Sequence, residues 1–267
     1  MNLREHKESE GSAAQVALVT GAAGGIGEAV ARLLGEHGVT VAAVDRDAER
    51  LDTAVEKLRG ESQPVTGYPA DVTSTAEVRA TVDRIERELG PIGYLVNAAG
   101  ILRAGEVLSL SDEDWTETFA VNATGVFIVS RAVVARMVSR GRGAVVTVAS
   151  NVAGTARFGM GAYSASKAAA TIFTKCLGLE TARHGIRCNL VAPGSTDTPM
   201  LRSLWDGGDA IRASLDGKPE LFRVGIPLGK LALPSDVADA VFFLLSDQAA
   251  HITMHDLTVD GGATLGV

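Results

Sequence analysis

Tyr163 and Lys167 lie four residues apart in the run GAYSASKAAATIFTKCLGLE, which begins at Gly161. On a helix that spacing puts a phenol and an ammonium on one face, about one turn from each other. Ahead of them GAVVTVA, residues 143–149, reads as a strand that ends in Ser150. A hydroxyl at a strand end can face a phenol and an ammonium near the start of the next helix. Such a trio suits proton transfer. The ammonium is expected to favour phenolate and so lower a pKa that is otherwise about 10. The Ser150 hydroxyl is expected to hold a substrate oxygen beside it. Tyr and Lys at this spacing also share many helices without doing chemistry, so the reading depends on the elements around them.

Those elements begin with QVALVT (15–20), a short apolar strand that runs into Gly21-Ala22-Ala23-Gly24-Gly25-Ile26-Gly27 and a helix to about His37. Strand, glycine-rich turn and helix in that order are the context a dinucleotide site requires. Glycines let the backbone approach a pyrophosphate, which sits at the positive end of the helix. The next strand, 39–45, ends in Asp45, 18 positions after Gly27. A carboxylate there accepts from both adenosine ribose hydroxyls and repels a 2′-phosphate, so NAD is expected over NADP. Arg46 is expected to flank the adenine or face solvent.

Alternation continues with helices at 47–59 and 75–89 and strands at 64–70 and 92–97, the latter running into Asn97-Ala98-Ala99-Gly100. A helical stretch from Ser111, an N-cap followed by acidic residues, extends to about Ser139. Within it Asn122 is either a satisfied core amide or part of a kinked turn whose carbonyl holds a water. Residues 185–195 read as a strand entering Pro193-Gly194, 196–230 as irregular, 235–246 as a helix and 256–259 as a last strand. Strands separated by helices imply a parallel sheet covered on both faces. The expected fold is α/β, a single doubly wound domain over 15–267 behind a disordered polar tail at 1–14, with a substrate lid at about 196–224.

Composition narrows the function. Of 267 residues, 46% are hydrophobic and 21% charged, as in a globular protein with a sizeable core. A net charge of −7 argues against general nucleic-acid binding, which needs a basic surface. Cys176 and Cys188 have neither metal nor disulfide spacing and are read as buried thiols of a reducing cytosol. The N-terminus lacks an apolar signal region, and no uninterrupted apolar run reaches membrane-span length, so a cytoplasmic protein without membrane contact is expected. His37 and His184 are read as structural, His251 and His255 as near a subunit contact, and no metal is expected. Trp115 and Trp205 are read as packing residues, the latter on the lid.

The ordered set Thr20-Gly21-x-x-x-Gly25-x-Gly27, Asp71, Asn97-x-Ala99-Gly100, Asn122, Ser150, Tyr163-x-x-x-Lys167 and Pro193-Gly194 resembles the short-chain dehydrogenase/reductase family from about residue 15 onward. The resemblance implies a Rossmann fold with seven parallel strands, usually as a homotetramer. It makes Tyr163 the general acid/base, Lys167 its pKa-lowering neighbour and nicotinamide-ribose ligand, and Ser150 the substrate-orienting hydroxyl. Asn122 would support a water relay; Asp71 and Val72 would contact adenine. Gly21, Gly25, Ile26, Gly27 and Asn97 to Gly100 would line the cofactor, and Pro193, Gly194, Thr196 and Thr198 would wrap the nicotinamide. Ala98 departs from the pattern, since many members carry a second Asn there.

Less generic segments, at 96–125, 157–169, 185–205, 225–230 and 251–266, resemble a branch of the family that oxidises a small anionic cyclohexadiene diol in catechol siderophore biosynthesis. Pathway association adds an aryl-acid adenylating enzyme as a transient partner. A carboxylate substrate calls for a converging Arg able to bind two oxygens. Arg157, between Ser150 and Tyr163, is the first candidate, followed by Arg103 and Arg202, with Met160 and Leu201 as apolar walls for the ring. Two other readings stay open: another NAD(P)-dependent alcohol oxidoreductase, such as an acyl-carrier-protein ketoreductase or sugar dehydrogenase, and a non-catalytic NAD-sensing protein.

Overall fold

The computed structural model describes residues 15–203 and 209–266; the expectations for the 1–14 tail and for Trp205 lie outside them. The alternation read from the sequence builds one sheet of seven strands. These are β1 (Val16–Thr20), β2 (Thr40–Asp45), β3 (Val65–Pro69), β4 (Ile92–Asn97), β5 (Gly143–Val148), β6 (Ile186–Pro193) and, last in the chain, Asp256–Val259. All pairings in this sheet are parallel, in the order β3-β2-β1-β4-β5-β6 and then Asp256–Val259. The chain builds outward from β1 to β3 and then returns to place β4 on the other side of β1. That reversal opens a crevice at the carboxyl ends of β1 and β4, where ligands of such sheets bind.

Because both faces are covered, the central strands read as continuous apolar runs: every residue of β1 is buried. Helices α1 (Gly25–Glu36), α2 (Ala48–Gly60) and α9 (Pro234–Leu245) pack one face, and α3 (Thr75–Glu88) and α5 (Val126–Arg140) pack the other. Their periodicity explains the choice of face. In α2, Leu51, Ala54, Val55 and Leu58 are buried along one stripe; in α3, Val78, Val82 and Ile85 are. Asp47 and Ser74 cap these helices by accepting from the amides of Arg50 and Glu77.

The expected helix from Ser111 is a three-part rod. Ser111 caps α4 (Asp112–Phe119), a π-helical turn spans Ala120–Gly125, and α5 follows, ending at Gly141 in a left-handed conformation. The rod Asp112–Arg140 is long and apolar enough to cross a membrane by composition, yet half of its most apolar window is buried in the protein. Its apolar character therefore belongs to the core. Helix α6 (Gly161–Thr181) buries mainly small and polar residues, among them Ser166, Ala170, Thr174 and Gly178. Small side chains let its backbone approach the sheet, and Thr174 Oγ1 lies 3.0 Å from Thr147 Oγ1 on β5.

Beyond β6, the segment expected as a lid contains short elements: α7 (Pro199–Arg202), α8 (Asp209–Asp216) and an antiparallel pair, β7 (Gly217–Lys218) with β8 (Arg223–Val224). The last strand of the large sheet is β9 (Asp256–Val259). Cys188 is buried as expected, but Cys176 is exposed, because its position on α6 faces away from the sheet. His37 stacks on Phe242 at 4.2 Å and joins α1 to α9, in keeping with a structural role. Trp115 stacks on Phe119 at 4.7 Å within α4.

The carboxyl end of α9 is closed by a side chain from β6. Arg187 donates to the carbonyls of Leu244 at 2.6 Å, Leu245 at 2.8 Å and Ser246 at 3.1 Å, groups the helix itself leaves unpaired. Those three residues are buried, so water cannot replace the guanidinium. Arg187→Met is expected to lower the unfolding free energy by about 2 kcal/mol, measured by urea denaturation.

Candidate active site

Each residue expected to do chemistry follows the carboxyl end of a strand. At the end of β1, Thr20 Oγ1 accepts from the amides of Ala98 and Ala99, both at 3.1 Å, and so ties the glycine turn to the loop after β4. Gly21 has φ +69°, and a Cβ there would stand 2.8 Å from Ala98 O and Ala99 Cα. At Gly27 a Cβ would collide with the Gly21 carbonyl. Only glycine permits this packing. Helix α1 begins at Gly25 with no side-chain cap, which leaves its first amides for an anion.

In front of that helix end runs a groove of about 520 Å³ lined by Gly21, Gly25, Ile26, Gly27, Asp45, Arg46, Asp71, Val72 and Ala98 to Gly100. Asp45 receives the amides of Ala23 and Asp47, one on each oxygen at 3.1 Å, which holds its carboxylate at the groove. Asp71 is held similarly by the amide and hydroxyl of Thr73, both at 2.8 Å. A bare helix terminus, a glycine cradle and a fixed acid suit the pyrophosphate and ribose of a dinucleotide. Among the residues of this groove that the sequence did not single out are Arg50, whose guanidinium stands against Gly24, and Met200.

Asn97 differs from expectation. As the last residue of β4 its side chain turns into the core, donating to Ser130 Oγ at 3.0 Å and Thr147 Oγ1 at 3.3 Å, while Ala98 to Gly100 alone face the groove. The alternation of a strand sends neighbouring side chains to opposite faces, and Asn97 falls on the inner one.

The second cavity, about 480 Å³, adjoins the first through Ile26, Ala98, Gly100 and Thr198 and contains Ser150, Tyr163 and Lys167. Tyr163 and Ser150 share this cavity wall, and the Ser150 hydroxyl favours the phenolate of Tyr163. Lys167 Nζ lies 5.8 Å from the Tyr163 ring centroid and donates to Val148 O at 2.9 Å. The wall opposite comprises Pro193, Gly194, Thr196 and Thr198, with Met160 and Leu201 contributing apolar surface.

The electrostatics correct one expectation. Burial pushes the Tyr163 phenol up to about 12, opposed only by the Ser150 hydrogen bond, and pushes Lys167 down to about 8. Lys167 does not lower Tyr163 among these groups alone, because its ammonium is turned to a backbone carbonyl and is itself desolvated.

Asn122 sits behind this pair. Its amide accepts from Ile101 N–H and donates to Ile101 O, both at 2.9 Å, and donates to Ser166 Oγ at 3.0 Å. The side chain thereby joins the π turn to both the loop after β4 and α6. A Cβ on Gly100 would lie 3.3 Å from Asn122 Oδ1 and 3.4 Å from Lys167 Nζ, so the bare backbone there lets all three approach.

The arginine candidates separate clearly. Arg157 lines the cavity and donates to Ala263 O at 3.1 Å. Arg103 is instead paired with Glu117 at 2.8 Å and Asp114 at 3.5 Å on α4, and Arg202 with Asp197 at 2.9 Å. Acidic residues that lie far from these arginines or at no helical spacing in the sequence capture both. Arg223 also lines the cavity and escaped the sequence reading, since the irregular stretch around it offers no period from which to orient it. Arg46 is largely exposed, 4.0 Å from Glu117. Among the described residues no cluster of His, Cys, Asp and Glu is arranged to hold a metal ion.

The buried ammonium has a stability consequence of definite sign. Between about 8 and 10.5 the unfolded chain binds a proton at Lys167 that the folded protein does not, so stability rises with pH across that window. Relative to Lys167→Met, wild-type protein is expected to gain up to about 3 kcal/mol from pH 8 to 10.5, measured by chemical denaturation. A flat difference would mean that the folded protein holds this ammonium as water does.

Comparison with known proteins agrees with the geometry. The family model described as short chain dehydrogenase matches residues 15–208. A 2,3-dihydro-2,3-dihydroxybenzoate dehydrogenase of Bacillus subtilis (strain 168) is 55% identical over 259 residues, covering 97% of this chain and 99% of the relative. The protein of that name from Escherichia coli (strain K12) is 45% identical, covering 93% and 96%. Among solved structures, an actinorhodin polyketide ketoreductase variant with NADPH superposes with TM-score 0.86 at 37% identity, covering 94% of this chain and 97% of that one. A gluconate 5-dehydrogenase from Burkholderia cenocepacia J2315 with NADP and tartrate gives 0.85 at 33%, covering 95% and 96%. With its glycine cradle, its Ser-Tyr-Lys cavity and these relatives along almost its full length, the chain belongs to the short chain dehydrogenases and is an oxidoreductase.

Proposed function

We propose that this protein oxidises 2,3-dihydro-2,3-dihydroxybenzoate to 2,3-dihydroxybenzoate, with NAD as acceptor, in catechol siderophore biosynthesis. The observation that carries the reading is the cavity in which Ser150, Tyr163 and Lys167 share walls with Arg157 and open onto the dinucleotide groove. The substrate reading draws support from the names of relatives at 55% and 45% identity.

When bound, oxidised NAD supplies a hydride acceptor and a ring charge that favours phenolate over phenol. Tyr163 then takes the proton of the ring hydroxyl, while Ser150 holds that oxygen in place. Lys167 fixes the site by its bond to Val148 O and is the group through which a proton can leave. Behind it the π turn at Ala120–Gly125 supports a water relay past Asn122. Arg157 holds the carboxylate of the substrate, and Met160 and Leu201 flank its ring. The ketone so formed tautomerises to the aromatic catechol, which makes the oxidation effectively one-way.

Asp45 at the ribose end of the groove supports NAD over NADP, since a 2′-phosphate would meet its charge. A second reading, an NADP-linked alcohol oxidoreductase, draws on Arg46 and Arg50 beside the same groove. A non-catalytic NAD sensor would have no use for the proton-transfer trio. The proposed enzyme works in the cytoplasm as a homotetramer, and its product passes to an aryl-acid adenylating enzyme. Exposed Phe127, Ile172 and Leu179 on α5 and α6 support association through those helices.

Mixing the protein, NAD and the dihydrodiol acid is expected to generate NADH absorbance, with NADP a poorer acceptor. Turnover of a different alcohol alone would favour the second reading. Tyr163→Phe is expected to cut turnover by about 10²- to 10⁴-fold while NAD affinity, followed by fluorescence titration, stays near wild type.

A further inference from the structure

Arg157 is not the lone cation in the substrate cavity. Arg223 reaches the same space from a different part of the chain, the β7–β8 pair, where Phe222 takes a left-handed conformation with φ 52° just before it. Its Nη2 donates to Ser195 Oγ at 3.1 Å, while Arg157 Nη2 donates to Ala263 O at 3.1 Å. Each guanidinium is thus anchored through one nitrogen to a neutral oxygen and, among the described residues, keeps other donors unused. Among the described residues neither has a carboxylate within ion-pair distance, although both are partly buried.

Among the described residues the acid that acts on Arg157 is Asp260, and it is already committed. Its oxygens accept from the Thr264 amide and hydroxyl, the Gly262 amide and Asn151 Nδ2. Glu106 is the single carboxylate among the described residues that line the cavity, and it is exposed at the rim without an ion pair. Burial lowers the pKa of both arginines, and the charge of Arg157 lowers that of Arg223 further, so the two guanidiniums feel each other. Two like charges lining one half-buried cavity, neither ion-paired among the described residues, call for an anion from outside.

We propose that Arg157 and Arg223 form a two-armed clamp for the carboxylate of the substrate, one arm from the loop between Ser150 and Tyr163 and the other from the segment after α8. The assignment rests on the proposed function in taking a cyclic carboxylic acid as substrate class. It adds a binding residue and a selectivity rule: the site takes ring diols that carry an acid group and discriminates against the same ring without one. Planar guanidinium groups suit a carboxylate, which can accept from both at once.

The test uses binding as well as turnover. Calorimetric titration of the full-length protein with 2,3-dihydroxybenzoate is compared with titration by catechol, in wild type, Arg223→Gln, Arg223→Lys and, as a control, Arg79→Gln on an exposed position of α3. Loss of one charge-assisted contact is expected to weaken the acid by roughly ten- to hundred-fold in Arg223→Gln, with catechol affected far less, Arg223→Lys intermediate and Arg79→Gln like wild type. In steady-state assays with the dihydrodiol acid, the same change is expected mainly in KM. Thermal melting confirms that each variant is folded; should Arg223→Gln melt early, Arg223→Lys and the acid-to-catechol ratio still decide. Equal weakening of acid and catechol, or unchanged acid binding in Arg223→Gln, overturns the clamp. If wild type oxidises the dihydrodiol acid while Arg223→Gln binds acids normally, the function stands and the clamp falls. If acids bind through Arg223 but another alcohol is the substrate, the clamp stands and the proposed reaction falls.

Discussion

The desolvated ammonium of Lys167 is the constraint on which the site depends. A buried charge without a partner is costly, and here the partner is Val148 O at the end of β5, 2.9 Å away. That bond fixes α6 in height and rotation against the sheet. Tyr163, one turn earlier on the same helix, is thereby held beside Ser150 at the end of the same strand. The small buried residues of α6 serve the same purpose, since a bulkier stripe would lift the helix and lengthen the Lys167 contact. Burial exacts an electrostatic cost, pushing phenol and ammonium toward their neutral forms. Protein groups alone therefore do not create a strong base, and a positive charge brought beside the phenol has large leverage over its proton.

Around this anchor, polar cross-links replace apolar packing. Thr20 holds the glycine turn to the loop after β4 through two amides, and Asn122 holds that same loop to α6 through Ile101 and Ser166. The loop from Ala98 to Ile101 is consequently pinned from both sides, between the dinucleotide groove and the catalytic cavity. The π turn makes the second link possible, because the wider turn brings Asn122 to the loop while α4 and α5 continue on either side. Gly100 lies where the two systems meet, and its missing side chain leaves room for Asn122 and Lys167 to approach.

The charge distribution separates two regions that the net charge of −7 conceals. On the outer surface Arg103 is matched with Glu117 and Asp114, and Arg202 with Asp197. Inside the substrate cavity Arg157 and Arg223 are held by neutral oxygens instead. The acidic surface and the cationic cavity are compatible because partly buried charges act at short range, whereas exposed ones are screened by water and salt.

The sequence by itself determined the sheet, its helices and the identity of Ser150, Tyr163 and Lys167, because alternating apolar strands, caps and a four-residue spacing are local signals carried by neighbouring residues. Asn122 was legible as a polar residue with two roles, and the tertiary structure decided for a fully bonded amide at a π turn. Arg157 was legible as the first candidate for the cavity, because its loop lies between Ser150 and Tyr163, whereas Arg223 was not. The fates of Arg103, Arg157, Arg202 and Arg223 follow from whether a folded neighbour supplies an acid or a neutral oxygen. The inward turn of Asn97 and the raised pKa of Tyr163 have the same origin. Facing and desolvation are properties of the assembled layers, and residues distant in the chain create them.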